Sequence, residues 1–145
     1  MKTKLPIPAV KISNECFCFS LKKAERLISR RYDEALAPFG LRNGQFSMLV
    51  CISGTNPINI QSIAYYLNMD RTTTTAALKP LEKRELITIN ISEEDARLKL
   101  VSITSAGLSL LKQAIPAWQK IQDQIKAEIS LDEFIKLKDQ LSLLH

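Results

Sequence analysis

A chain of 145 residues has the length of one domain with a sizeable core, and 46% apolar with 24% charged residues is an ordinary globular balance. No apolar run reaches the roughly 18 residues of a membrane span, and residues 1–10 carry Lys2 and Lys4 but no hydrophobic signal core. Three cysteines make no disulfide framework, so a cytoplasmic protein without a membrane partner is expected, and a net charge of +5 suits a polyanionic partner without specifying one.

Glycine is scarce and periodic stretches are long, which predicts a mainly helical chain. A first helix is expected over about Ser13–Leu36, where Phe17, Leu21, Ala24, Ile28, Tyr32 and Ala35 recur on one face. Cys16, Cys18, Leu27 and Leu36 widen that stripe beyond the needs of one intrachain contact, and a partner subunit is the natural second surface. The basic stretch Lys22, Lys23, Arg26, Arg30 and Arg31 reads as a solvated helix face. Pro38 and Gly40 end the helix, and a second follows over about Arg42–Ser53 with Phe46, Leu49 and Val50 inward.

After a loop at Gly54, Asn56 and Pro57, Asn59 is the expected N-cap of a short helix carrying Ile63, Ala64 and Leu67. Beyond an Asn68–Met69 corner, Asp70 caps a helix predicted over about Arg71–Arg84. Its inward positions are Thr74, Ala77 or Leu78, and Leu81; Arg71, Thr72, Thr73, Thr75, Ala76 and Lys79 point outward. Two short helices joined by a tight turn present the second of them to a DNA major groove.

Ile87, Ile89 and Ile91 alternate with polar residues as a half-buried strand does, and Leu98 and Leu100 flank Lys99 on the return across a polar turn, Ser92–Arg97. Thr104 is expected to cap a long helix to about Ile129, kinked at Pro116, and Ser130 with Glu133 forms a capping box for a last helix ending near Leu144.

In its ordered segments the chain resembles the MarR family of winged helix-turn-helix regulators. The segments are Leu67–Thr75, Leu81–Ile87, Asp95–Ile103 and Thr104–Gly107, and the resemblance extends over about residues 14–144. It implies a mainly α fold with a small β-hairpin: a winged helix lobe at about 42–103, with dimerisation helices at about 13–38 and 104–144. It also implies a homodimer on palindromic double-stranded DNA, acting as a transcriptional repressor released by a small-molecule effector or an oxidant. By resemblance, Thr72, Thr73 and Thr75 face bases and phosphates, and Arg97 is the wing-tip contact, oriented by Asp95. Lys79, Lys83, Arg84 and Lys99 suit phosphates, which fix register without reading sequence, and Arg71 is the tenth expected DNA contact. Three features depart from the family pattern: Ala76 replaces a frequent arginine, Pro80 sits inside the recognition helix, and the pair Glu93 and Glu94 places negative charge at the wing.

Cys18–Phe19–Ser20–Leu21 resembles the cysteine-bearing first helix of the organic hydroperoxide resistance regulators, which implies redox sensing at Cys18, with Cys16 close by. Lys22 and Phe46 stand where that subgroup has tyrosines. On one continuous helix Cys16 and Cys18 would point about 200° apart, and the other candidate ligands are only Cys51 and His145, so no metal site is expected. With no glycine-rich phosphate loop and no nucleophile-base pair, neither a cofactor nor an enzymatic reaction is expected. The alternative is a degenerate winged helix that dimerises or captures another protein without specific DNA binding.

Overall fold

The computed structural model describes residues 5–144; Lys2, Lys4 and His145, noted above, lie outside them. In chain order the elements are α1 (Ala9–Glu15), α2 (Phe17–Leu36), a 3-10 turn (Ala37–Phe39), α3 (Asn43–Gly54), β1 (Ile58–Asn59), α4 (Ile60–Tyr66), α5 (Arg71–Lys83), β2 (Ile87–Ile91), β3 (Lys99–Ile103), α6 (Ser105–Glu128) and α7 (Leu131–Leu141). This is the mainly helical winged helix arrangement that the sequence predicts.

Four of the helix starts follow directly from their cap residues. Asn59 accepts from the Ser62 N–H at 2.8 Å, Asp70 from the Thr73 N–H at 2.8 Å, Thr104 from the Gly107 N–H at 3.0 Å and Ser130 from the Glu133 N–H at 3.4 Å. Each bond satisfies a donor that the helix itself leaves unpaired. Leu36, Leu49, Ile52, Ile63, Leu78, Leu81, Ile87 and Val101 form the fully buried centre, lying beneath the pair α4–α5 and the sheet.

The structure departs from the expected elements at four places. The helix expected from Ser13 to Leu36 is broken at Cys16, whose extended backbone (φ −76°, ψ 109°) closes α1 and whose Sγ accepts from the Phe19 N–H at 3.4 Å to start α2. Cys16 and Cys18 therefore do not share one continuous helix, and the roughly 200° separation expected on one does not apply to them. The hairpin is part of a three-stranded antiparallel sheet, ordered β1-β3-β2, in which Ile58 pairs with Val101. Val50, expected inward, is exposed, whereas Met48 and Ile52 of the same helix are buried. Helix α7 ends at Leu141, short of Leu144.

Most of the α2 stripe is also uncovered. Only Tyr32 and Leu36 are buried on that helix, and Phe17 is 84% exposed. Arg31 leaves the solvated basic face to grip Glu128 at the end of α6 with two bonds, of 2.8 and 2.7 Å, and the Tyr32 hydroxyl donates to Gln122.

The end of α5 is a tight junction. Glu85 adopts φ 57°, the Leu86 N–H reaches back to the Leu81 carbonyl at 3.0 Å and the Glu85 N–H to that of Glu82 at 2.8 Å, which together close the helix. Thr104 then docks α6 on this turn: its hydroxyl donates to the Glu85 carbonyl at 2.7 Å and its N–H to that of Leu86 at 3.0 Å. Gly107 makes the approach possible, because a Cβ there would lie 2.1 Å from the Leu86 carbonyl oxygen.

Two stability changes are expected. Gly107→Ala should lower stability by about 2–3 kcal/mol, because backbone rather than a flexible side chain has to move. Glu85→Gly should raise it by up to about 1 kcal/mol, since left-handed backbone strains a residue with a Cβ while glycine loses more freedom on folding. Chemical denaturation followed by circular dichroism reads both; an unchanged midpoint for Gly107→Ala would show that the junction is not rigid.

Candidate nucleic-acid interface

The second helix of the helix-turn-helix, α5, owes its direction to three side chains. Thr74, Leu78 and Leu81 are fully buried, and they recur at the spacing of one helical face. Leu78 rather than Ala77 supplies the middle anchor; Ala77 is only partly covered. With that face fixed, Arg71, Thr72, Thr73, Ala76 and Lys79 are exposed on the other side, and Thr75 is half-covered at the margin. Pro80 lies inside the helix without ending it, and it is exposed like Lys83 and Arg84 beyond it.

The threonine run is chemically less uniform than its sequence. The Thr73 hydroxyl donates to the second carboxylate oxygen of Asp70 at 2.5 Å. The Thr74 hydroxyl donates to the Asp70 carbonyl and that of Thr75 to the Arg71 carbonyl, both at 2.8 Å. Back-bonding of this kind is how a threonine inside a helix satisfies its donor. Thr72 alone of the four has no such bond among the described residues. Towards an external partner, Thr73 and Thr75 therefore present acceptor lone pairs and methyl groups, while Thr72 keeps its donor as well.

Asp70 organises this turn. Hydrogen bonds from the Thr73 hydroxyl and backbone N–H hold its carboxyl below the ordinary aspartate range. Its negative charge also faces the positive end of the helix dipole.

The wing is shaped by Ser92 and Asp95. Ser92 Oγ accepts from the N–H groups of Glu94 at 3.2 Å and Asp95 at 3.4 Å, and Asp95 Oδ1 accepts from the Arg97 N–H at 2.9 Å. Asp95 thus fixes the backbone at Arg97, while the Arg97 side chain forms no ion pair among the described residues. Lys99 is exposed at the first position of β3. The ten residues singled out as DNA contacts thus fall on two adjoining elements, α5 with its C-terminal turn and the wing. Arg84 differs from the others in that its guanidinium bonds backbone of the same chain.

Cys18 is exposed on the first turn of α2, and Cys16 is half-buried at the break before it. Cys51 is half-buried, and burial pushes its thiol up from the ordinary value, away from reactive thiolate character.

A model of the MarR family matches residues 41–99, the segment that contains α3 to the start of β3. A Mycobacterium tuberculosis transcriptional regulator, MosR, solved in complex with DNA, is 30% identical and covers 90% of this chain and 98% of its own, with a TM-score of 0.78. The chain belongs to the MarR family. An uncharacterized HTH-type transcriptional regulator of Bacillus subtilis, YwoH, is 29% identical over 79% of this chain and 83% of its own length. The organic hydroperoxide resistance transcriptional regulator of the same organism is 29% identical over 73% and 71%. With this membership, the winged helix lobe is that of a DNA-binding transcriptional regulator.

Asp70 gives a test of the recognition helix that needs no DNA. A lowered carboxyl pKa stabilises the fold above the unfolded-state value, and that contribution disappears as pH falls through the lowered folded-state value. The stability difference between the wild type and Asp70→Ala should therefore be full at neutral pH and shrink below the ordinary carboxylate range. Urea midpoints measured from pH 7 to pH 3 check this; a pH-independent difference would remove charge from the cap's action.

Proposed function

We propose that the protein is a homodimeric transcriptional repressor that grips a palindromic operator with two copies of α5 in successive major grooves. The observation that carries this reading is the division of α5 between a buried face and an exposed face rich in hydroxyl and cationic groups, together with a wing arginine, Arg97, that forms no ion pair among the described residues. Residues 42–103 form the DNA-reading lobe in this proposal, and 13–38 with 104–144 form the dimerisation half. The role is regulation, not catalysis.

Thr72 reads base edges as donor or acceptor, and Thr73 and Thr75 offer acceptors and methyl groups to adenine or cytosine amino groups and to thymine. Arg97 enters the adjoining minor groove, where a narrow A·T-rich stretch attracts a guanidinium. Arg71, Lys79, Lys83 and Lys99 contact phosphates. Asp95 acts through the wing backbone, and Glu93 and Glu94 at the tip moderate non-specific attraction. Ala76 leaves one position without an arm, so more of the sequence reading rests on Thr72 and Arg97.

Dimerisation covers the apolar surface that one subunit leaves bare. Phe17, Phe19, Leu21 and Leu27 near the start of α2, together with Leu131, Phe134 and Leu137 of α7, are large and exposed. An apolar surface of this extent on terminal helices calls for a second subunit.

Release by an effector is assigned to the cleft between α3 and α6, of about 390 Å³, lined by Phe46, Ser47, Val50, Ile115 and Trp118. Phe46 and Trp118 stack there with ring centroids 6.1 Å apart, which suits a flat apolar or aromatic molecule. Oxidation of Cys18, exposed beside Phe17 and Phe19, is the second route to release, acting where α2 would meet the partner subunit.

Gel retardation with fragments from the protein's own locus tests the core of the proposal. Binding should weaken steeply with salt, and Arg97→Ala should cost about 1–3 kcal/mol. Light scattering should give twice the 16.4 kDa chain mass. Binding to no fragment at low salt would instead favour a winged helix that captures protein. Peroxide-induced release, if seen, should vanish in Cys18→Ser; unchanged release would take Cys18 out of the mechanism.

A further inference from the structure

The recognition helix ends on a residue whose charge is directed inward to its own fold. Arg84 Nη1 donates to the Gly40 carbonyl at 2.6 Å and Nη2 to the Phe39 carbonyl at 3.4 Å, across 44 and 45 positions of sequence. The acceptors belong to the turn between α2 and α3, which is itself fixed by bonds from the Gly40 N–H to the Ala37 carbonyl at 2.9 Å and from the Leu41 N–H to the Leu36 carbonyl at 3.3 Å. Gly40 has φ 62°, and a Cβ there would lie 3.3 Å from Nη2 and 3.7 Å from Cζ, so the guanidinium covers the glycine closely. A planar fork with two donors suits two neighbouring carbonyls in a way that an ammonium does not.

The surrounding charges do not claim this side chain. Asp33, which lines the same cleft, accepts from the Asn43 N–H at 2.6 Å and pairs with Arg42 at 3.7 Å, and Arg84 forms no ion pair among the described residues. On the other side of the same helix end, Thr104 binds the carbonyl of Glu85. The last turn of α5 is thus tied to α6 through Thr104 and to the end of α2 through Arg84.

We propose that Arg84 is a positioning residue that clamps the C-terminal end of the recognition helix to the end of α2, rather than a phosphate contact. The clamp sets the angle at which α5 leaves the body of the subunit, and in this respect the inference rests on the DNA-reading role proposed above. Positioning errors of this kind weaken the specific complex, which demands exact register, more than the non-specific one, which slides.

The test uses the full chain with Arg84→Lys and Arg84→Ala. Each is titrated, over a range of salt, against the tightest-binding duplex from the protein's own locus and against an unrelated duplex of equal length. A clamp predicts that both variants lose about tenfold or more on the specific duplex, the scale of a charged hydrogen bond. They should change less than about twofold on the unrelated duplex, with the salt slope preserved. A phosphate contact predicts the opposite: lysine retains affinity, alanine weakens both duplexes alike, and the slope falls by about one. That result would overturn the proposal.

Amide hydrogen exchange without DNA reads the clamp independently. Exchange at Gly40 and Leu41 should accelerate by about tenfold in both variants through local opening of the turn. Unchanged exchange would also overturn the proposal, whatever the duplexes show. If the wild type binds no duplex, the DNA-reading proposal fails on its own account, and exchange still decides whether the clamp exists.

Discussion

The close approach of Gly107 to the Leu86 carbonyl is the constraint on which the arrangement of this molecule depends. A side chain at that position would hold the start of α6 away from the end of α5, and Thr104 could not then reach the Glu85 and Leu86 carbonyls while capping its own helix. Three elements meet there: the recognition helix, the first wing strand and the long C-terminal helix. Leu81, Leu86 and Ile87 are buried at the same place, so the polar junction sits on part of the hydrophobic core. Burial fixes its position and hydrogen bonds fix its angle.

From this point the path to the terminal helices is short. Helix α6 runs from the junction to Glu128, which holds Arg31 of α2 through two bonds, and Tyr32 meets Gln122 nearly two turns earlier. An exposed ion pair contributes little to stability. Its value here is geometric, because a bidentate pair between two long helices fixes their relative rotation. A molecule wedged between α3 and α6 at Phe46 and Trp118 would push on the helix that carries Gly107. Under the proposed effector reading, a molecule bound there and the position of α5 would be linked through one continuous helix, α6.

Much of this fold was legible in the sequence because its punctuation is local. Asn59, Asp70, Thr104 and Ser130 cap the helices predicted from them, since a cap needs only its own side chain and an N–H three residues on. The outward positions of α5 also follow from periodicity alone. The break at Cys16 did not, because Cys16–Phe17 contains neither proline nor glycine and the apolar spacing runs through it. Strand β1 has two residues, too few to carry a period, and exists because β3 offers an edge. The exposure of Val50 depends on what α3 packs against. At the candidate interface, the residues could be read but their free hydrogen-bonding groups could not: the bond from Thr73 to the Asp70 carboxylate, the back-bonding of Thr75 and the inward fork of Arg84 are choices made by rotamers.

The split of α5 into an anchoring face and an outward face also bears on how such a protein diverges. Thr74, Leu78 and Leu81 hold the helix, so changes at them threaten folding. Thr72 and Ala76 are exposed and contribute little to packing, so under the proposed DNA-reading role changes at them would alter base recognition at small cost to stability. After gene duplication, one copy could acquire a new operator by substitutions at these positions while the scaffold stayed intact. The threonine run, with buried Thr74 between exposed Thr73 and half-covered Thr75, therefore places a folding constraint and a freedom to vary side by side in adjacent codons.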